Sequence, residues 1–176
     1  DLKSYLGGLL FSLLYKRANY LFFGSNSAKS WWVKTYPWMN IKKSLIHFNG
    51  ISLKKKILIK RIPKKIQISF AGRLEKENNP EFFLEIAKKY LEDNKNAVFN
   101  VFGDGPLLKS LKKKYKTKNI IFHGWVDKKN IYKVTNLIIV TSPINNFPYV
   151  ALEAKSYGIP VVSCSRGDIK KIIKNG

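Results

Sequence analysis

"IQISFAGRLEKENNPEFFLEIAKKYLEDNKNAVFNVFG", residues 66–103, decides the fold class. Its two ends are apolar runs of strand length, "IQISFAG" (Ile66–Gly72) and "AVFNVFG" (Ala97–Gly103), each stopped by a glycine turn. Between them lies "PEFFLEIAKKYLED" (Pro80–Asp93), where Pro80 suits a first helical turn. Phe82, Phe83, Ile86, Ala87, Tyr90 and Leu91 recur at helical spacing and predict one apolar face. Both strands are continuous apolar runs rather than alternating ones. Continuous runs signal burial on both faces, hence a parallel sheet covered by helices.

The same rhythm continues downstream. "PLLKSLKKKYK" (Pro106–Lys116) reads as a basic amphipathic helix, "IIFHG" (Ile120–Gly124) as a strand and "KKNIYKVT" (Lys128–Thr135) as a short helix. "LIIVTS" (Leu137–Ser142) is a strand, "YVALEAKSYG" (Tyr149–Gly158) a helix closed by glycine, and "PVVSCS" (Pro160–Ser165) a strand leading into "DIKKIIKNG". Five strand–helix units thus fill about 110 residues. With right-handed crossovers they form an α/β, Rossmann-like, doubly wound parallel sheet, and ligands of such sheets bind at the carboxyl ends of the strands. The turns that matter are therefore "AGRLEKENNPE", "FGDGP", "FHGWV", "SPINNFPY" and "SCSRGD".

Upstream the pattern differs. "YLGGLLFSLLY" (Tyr5–Tyr15) is apolar but is interrupted by Lys16 and Arg17. A membrane span needs about 20 apolar residues, so a core helix is expected. "ISLKKKILIKRIPKK" (Ile51–Lys65) holds seven Lys or Arg and reads as a linker, with a short exposed strand as the alternative for its middle. The chain starts at Asp1 and ends on "IIKNG", and a fragment of a longer protein is expected.

Composition sets outer bounds. Of 176 residues, 45% are hydrophobic and 14% aromatic, enough for a substantial core. Lys and Arg number 33 against 11 Asp and Glu, a formal net charge of +22. That charge predicts a polyanionic partner (nucleic acid, an acidic membrane surface or a phosphorylated ligand) or else a lysine-rich composition spread over solvated faces. The lone cysteine, Cys164, excludes an internal disulfide framework and reads as a core residue. His47 and His123 make no metal spacing, no Asp-x-Asp motif is present, and a reducing cytoplasm fits.

Arg73 follows the first strand, where its forked, permanently charged donors suit a phosphate; a surface ion pair with Glu75 or Glu77 is the alternative. Gly103, Asp104 and Gly105 form a tight turn, equally a plain connection or a base-binding loop. In "NNFPYVALEA", Pro148 starts a helix without wasting a donor, and the amides of Tyr149 and Val150 at the positive helix end suit an anion. Glu153, one turn in, is placed either to accept ribose hydroxyl hydrogen bonds or merely to complement the helix dipole.

Taken together, "FAGRLEKENNPEFFLEIA", "NVFGDGPLLKSL", "IIFHGWV" and "VTSPINNFPYVALEAKSYGIPVVSCSRGDI" resemble the C-terminal, donor-binding domain of family 4 glycosyltransferases, which are retaining enzymes of the GT-B fold. "ANYLFFGSNSAKSWWVKTY" and "IHFNGISLKK" resemble the last strand and helix of the N-terminal domain of that fold. The resemblance implies residues 1–50 as a remnant of the N-terminal acceptor domain, 51–65 as the interdomain linker and 66–176 as the nucleotide-sugar domain, cut short at its end. It implies Arg73 on the donor diphosphate and Glu153 on the donor ribose, as the second Glu of the family's E-x7-E motif. The helix amides of Tyr149 and Val150, beside Asn146 and Phe147, would face the diphosphate or the sugar. Gly103, Asp104, Gly105, His123, Gly124 and Trp125 would line the nucleobase pocket.

Two positions depart from the family pattern. Asn145 stands where the first motif Glu belongs; it retains hydrogen bonding to a sugar hydroxyl but no negative charge. Asn78 stands where a Lys belongs, five residues after Arg73, and Lys76 is the nearest substitute. Arg73, Asn145 and Glu153 are accordingly the expected catalytic set. The expected partners are a nucleotide-diphosphate sugar, a glycan or lipid-linked acceptor of surface polysaccharide synthesis, and an anionic membrane surface at the cytoplasmic face. No cofactor, no metal and no specific nucleic acid are expected. The alternatives are a GT-B-fold sugar-nucleotide epimerase, or a basic non-enzymatic module in which Trp31, Trp32 and Trp38 stack bases or meet a membrane.

Overall fold

The structure is a computed structural model in which residue 7 and residues 18–37, 43–48, 50–51, 63–143, 148–164 and 169–173 are described. The chain divides into two compact units, Asp1–Gly50 and Ile51–Gly176.

In the first unit, β1 (Leu21–Phe23) pairs in parallel with β2 (Ser44–Ile46), and α1 (Asn26–Thr35) connects them. A strand–helix pair was expected here; β2 adds a third element, giving a small βαβ motif. Buried Ser25 caps α1 by accepting the Ala28 N–H at 2.9 Å. Trp32 packs against Tyr36, ring centres 4.8 Å apart, and also contacts Phe23. Trp31 is exposed, and Trp38 and the Tyr5–Tyr15 run, apart from Gly7, lie outside the described residues.

The second unit carries five parallel strands in the order β5-β4-β3-β6-β7. These are β3 (Ile66–Ala71), β4 (Ala97–Phe102), β5 (Ile120–Gly124), β6 (Leu137–Val140) and β7 (Val161–Ser163). The helices are α2 (Pro80–Asp93), α3 (Leu108–Lys114), α4 (Lys128–Val134), α5 (Tyr149–Ser156) and α6 (Ile169–Ile172). The chain first builds outward from β3 through β4 to β5, then returns to the other side of β3 with β6. That reversal is the hallmark of a doubly wound sheet and puts the switch point between β3 and β6. Two apolar clusters cover the sheet. One joins Ile68, Phe70, Phe99 and Val101 to Phe83, Leu84 and Ala87 of α2 and to Leu111 of α3. The other joins Ile138 and Val140 to Ile131 and Tyr132 of α4, Ala151 and Ala154 of α5, and Ile169 and Ile172 of α6.

Three expectations need correction. The buried face of α2 is Pro80, Phe83, Leu84 and Ala87, while Phe82 is exposed. Continuous burial holds for central β3 and β4 but not for edge strands β5 and β7, where Ile121 and Val162 face outward. Cys164 is exposed rather than core, because β7 ends at Ser163 on the sheet edge. Most of the 51–65 linker, residues 52–62, lies outside the described residues.

Candidate functional site

The candidate site begins where β3, β4 and β5 end. The sheet ladder does not stop with the strands but runs on into their turns. Gly72 N–H donates to Phe102 O at 3.0 Å, Leu74 N–H to Asp104 O at 2.9 Å, and Gly103 N–H to Gly124 O at 2.7 Å. Leu107 N–H closes the lattice on Leu74 O at 3.0 Å. Three separate loops are thereby fixed as one rigid shelf.

Glycine makes that contact possible. Gly103 has φ +135°, and a Cβ there would stand 1.9 Å from Gly72 O. Gly105, at φ +155°, would place its Cβ 2.6 Å from Leu74 O. Both values lie inside van der Waals contact and in backbone space that side chains rarely occupy. The glycines of "GDG" are thus required by turn-on-turn packing, whatever the loop binds.

On the shelf lies an open cavity of about 530 Å³ lined by Gly72, Arg73, Phe102, the Gly103–Gly105 turn, Trp125, Val126 and Ile131. Its size matches ordinary small-molecule clefts. The Asp104 carboxylate bends back to accept the Gly105 N–H at 2.7 Å and gives one wall a negative charge. Arg73 supplies the cation, and Trp125 stands 81% exposed as a flat apolar wall. A ligand carrying both a planar ring and an anion fits this charge layout, with the anion at Arg73 and away from Asp104.

Arg73 pairs through Nε with Glu75 at 3.2 Å, and its side chain is 75% exposed. Both readings of Arg73 are therefore compatible. An exposed pair is worth about 0–1 kcal/mol, so a phosphate exchanges for Glu75 at small cost.

The loop between Arg73 and α2 is stapled shut. A single 3-10 turn, Lys76–Asn78, is followed by Asn79 in left-handed conformation (φ 49°), which swings the chain into Pro80. The Asn78 side-chain amide donates to Arg73 O at 2.9 Å. From the end of β6, Thr141 Oγ1 donates to Asn78 O at 3.0 Å and Ser142 Oγ to Glu77 O at 2.9 Å. Asn78 is a loop brace in this chain, and Lys76 is exposed on the turn and is not among the residues lining the cavity.

His123 and Gly124 sit beside the cavity rather than in its lining. The His123 ring stacks on Phe102 at 4.4 Å and 18°. Asn100 uses its Nδ2 on Gln67 Oε1, so its Oδ1 accepts from His123 Nε2 at 2.8 Å. Desolvation holds the imidazole pKa below the usual value, which keeps the ring neutral and suits this support role. Gly124 contributes its carbonyl to the shelf from φ +71°.

Glu153 lies on α5, is not among the residues lining the cavity, and has its carboxylate held from α4. Tyr132 OH donates to its Oε2 at 2.8 Å, and Lys128 Nζ meets its Oε1 at 3.0 Å. Burial and the adjoining carboxylate push the Tyr132 phenol far above its ordinary pKa, and Glu153 likewise raises that of Lys128. Ile131, next to Tyr132 on the same helix, lines the cavity, so one turn of α4 connects cavity and carboxylate. Tyr132 and Lys128 were not anticipated from the sequence; "KKNIYKV" alone reveals only a helix. Pro148 is the N-cap of α5, and Tyr149 and Val150 are its first two helical residues, where the sequence places the helix start. Asn145, Asn146 and Phe147 lie outside the described residues.

Among the described residues no group of three or more His, Cys, Asp or Glu gathers to hold a metal ion, and no helix is long and apolar enough to cross a membrane.

A doubly wound parallel sheet with helices on both faces and an open cavity at its strand ends is the architecture of one half of a GT-B fold. The pattern described as "Glycosyl transferases group 1" matches residues 65–176, and the chain belongs to that family. A relative in Escherichia coli, UDP-Gal:alpha-D-GlcNAc-diphosphoundecaprenol alpha-1,3-galactosyltransferase, is 32% identical over 78% of this chain and 37% of its own length. Among solved structures, the lipopolysaccharide outer core galactosyltransferase WaaB is similar over 90% of this chain and 46% of its own, with TM-score 0.69 and 22% identity. Anabaena HepE, solved with UDP and glucose, matches 90% of this chain and 48% of its own, with TM-score 0.75 and 14% identity. The chain therefore spans less than half the length of each of these three proteins.

Proposed function

We propose that this chain forms the donor half of a retaining glycosyltransferase that moves a sugar from a nucleoside diphosphate to a glycan or lipid-linked acceptor. The observation that carries the reading is the cavity on the glycine shelf, where the Arg73 cation and the flat Trp125 wall meet at the strand ends beside α4, the helix that also holds Glu153. The donor base lies along Trp125 and the Gly103–Gly105 turn. The diphosphate leaves Glu75 behind at Arg73 and draws on the amides that open α5. As the sugar–phosphate bond breaks, negative charge grows on the diphosphate, and these groups stabilise it most at that moment. Glu153 receives the ribose hydroxyls, and Asn145 hydrogen-bonds the transferred sugar. The reading assigns no metal. The relative's lipid-diphosphate acceptor supports a similar acceptor class here and a working place at the cytoplasmic face of a membrane.

The test is calorimetry on the full-length protein with UDP and GDP. One of the two is expected to bind, with Arg73→Ala and Glu153→Ala each weakening it about tenfold, the value of one charged hydrogen bond. Unchanged binding in both variants would place the donor elsewhere.

A further inference from the structure

We propose that Tyr132 is a positioning residue for the donor site. It fixes the Glu153 carboxylate so that one oxygen alone is offered to ligand, and Lys128 occupies that oxygen until ligand replaces it. The inference rests on the reading of Glu153 as the ribose acceptor.

Tyr132 is 2% exposed, and its ring stacks on Tyr157 with centres 4.9 Å apart. A ring so enclosed has few rotamers, and its hydroxyl points where the packing points it. Burial and Glu153 together keep the phenol protonated throughout the working pH range, so the hydroxyl is a permanent donor to Oε2. With Oε2 anchored, the plane of the carboxylate is set. The remaining oxygen, Oε1, meets Lys128, whose side chain is 65% exposed. The two partners therefore differ in kind: one is a packed, neutral donor and the other a solvated cation at the end of a flexible stem. An exposed lysine pair of this sort is weakly held and exchanges readily. A vicinal diol supplies neutral donors to the same oxygen and needs the carboxylate plane already set.

The arrangement also ties recognition to α4. Ile131 forms cavity wall while Lys128 and Tyr132, on the same helix, address Glu153. Cavity wall and carboxylate partners thus share one short helix.

The experiment measures binding of UDP and of 2′,3′-dideoxy-UDP to the full-length protein and to four variants, three single and one double, with thermal unfolding as a check on folding. Tyr132→Phe keeps the stacked ring and removes only the hydroxyl. It is expected to weaken UDP about five- to tenfold and leave the dideoxy compound unchanged, since the dideoxy ligand makes no use of Glu153. In a Glu153→Ala background the same change is expected to have no further effect. Lys128→Ala is expected to leave UDP binding equal or tighter. Equal weakening of both ligands by Tyr132→Phe would reduce Tyr132 to a packing residue and overturn the proposal, as would weaker UDP binding by Lys128→Ala. If Glu153→Ala itself leaves UDP binding unchanged, the ribose assignment fails first, and that outcome is separate from the other two.

Discussion

At the scale of single residues the site depends on Gly103 more than on any charge. Its missing Cβ lets Gly72 O lie where a side chain would stand, and that contact holds two loops together. Gly103→Ala is therefore expected to cost more than about 2 kcal/mol, from both clash and strained φ. Gly124 has positive φ as well, but a Cβ there meets nothing within 4 Å. Gly124→Ala is expected to cost only about 1 kcal/mol, the penalty of the left-handed conformation alone. Urea unfolding of the two variants separates the causes; equal losses would mean that backbone strain and not the shelf contact dominates. None of this could be read from "GDG", because the colliding atom belongs to Gly72, thirty-one positions earlier. The place of Arg73 at the strand-end cavity was legible, since the residue after a buried strand and its glycine turn emerges at the strand ends. Tyr132 was not, since its meaning comes from a carboxylate on another helix.

At the scale of elements, order and type were legible because apolar runs and helical spacing are local properties. The exact face of a helix is less so. In "PEFFLEIA" three apolar residues stand in a row, and the first cannot share a face with the third when each step turns about 100°. The core takes Pro80, Phe83, Leu84 and Ala87, a run at i, i+3, i+4 and i+7, and leaves Phe82 at the margin. Leu84→Ala is expected to destabilise by about 2–5 kcal/mol, whereas Phe82→Ala should cost less than about 1 kcal/mol. Denaturant midpoints decide the matter, and a larger loss at Phe82 would mean that α2 is rotated. Edge and centre are likewise set by neighbours. "PVVSCS" has the composition of an interior strand, yet among the described residues β7 pairs with β6 alone, and Val162 and Cys164 are exposed.

At the scale of the whole molecule the net charge of +22 calls for a partner or a reason to be spread out. Between Asp104 and Asp127 the sequence holds six lysines and no acid, and all six are exposed on α3 and the turn after it. One of them, Lys114, is engaged by Glu81 of α2, which leaves Lys109, Lys112, Lys113, Lys116 and Lys118 as a compact basic face. Each lysine near an anionic bilayer contributes about 1 kcal/mol, and screening at physiological salt limits the reach to about 8 Å. Five together amount to useful but reversible attachment, which is what the proposed lipid-linked acceptor calls for. The full-length protein is expected to sediment with vesicles containing anionic phospholipid at low salt, to ignore neutral vesicles, and to be released as salt rises. Replacing Lys109, Lys112, Lys113 and Lys116 by Gln should abolish most of that binding while leaving UDP affinity intact, because none of the four lines the cavity. Undiminished vesicle binding by that variant would show that the charge acts diffusely over the surface, and α3 would then be an ordinary solvated helix.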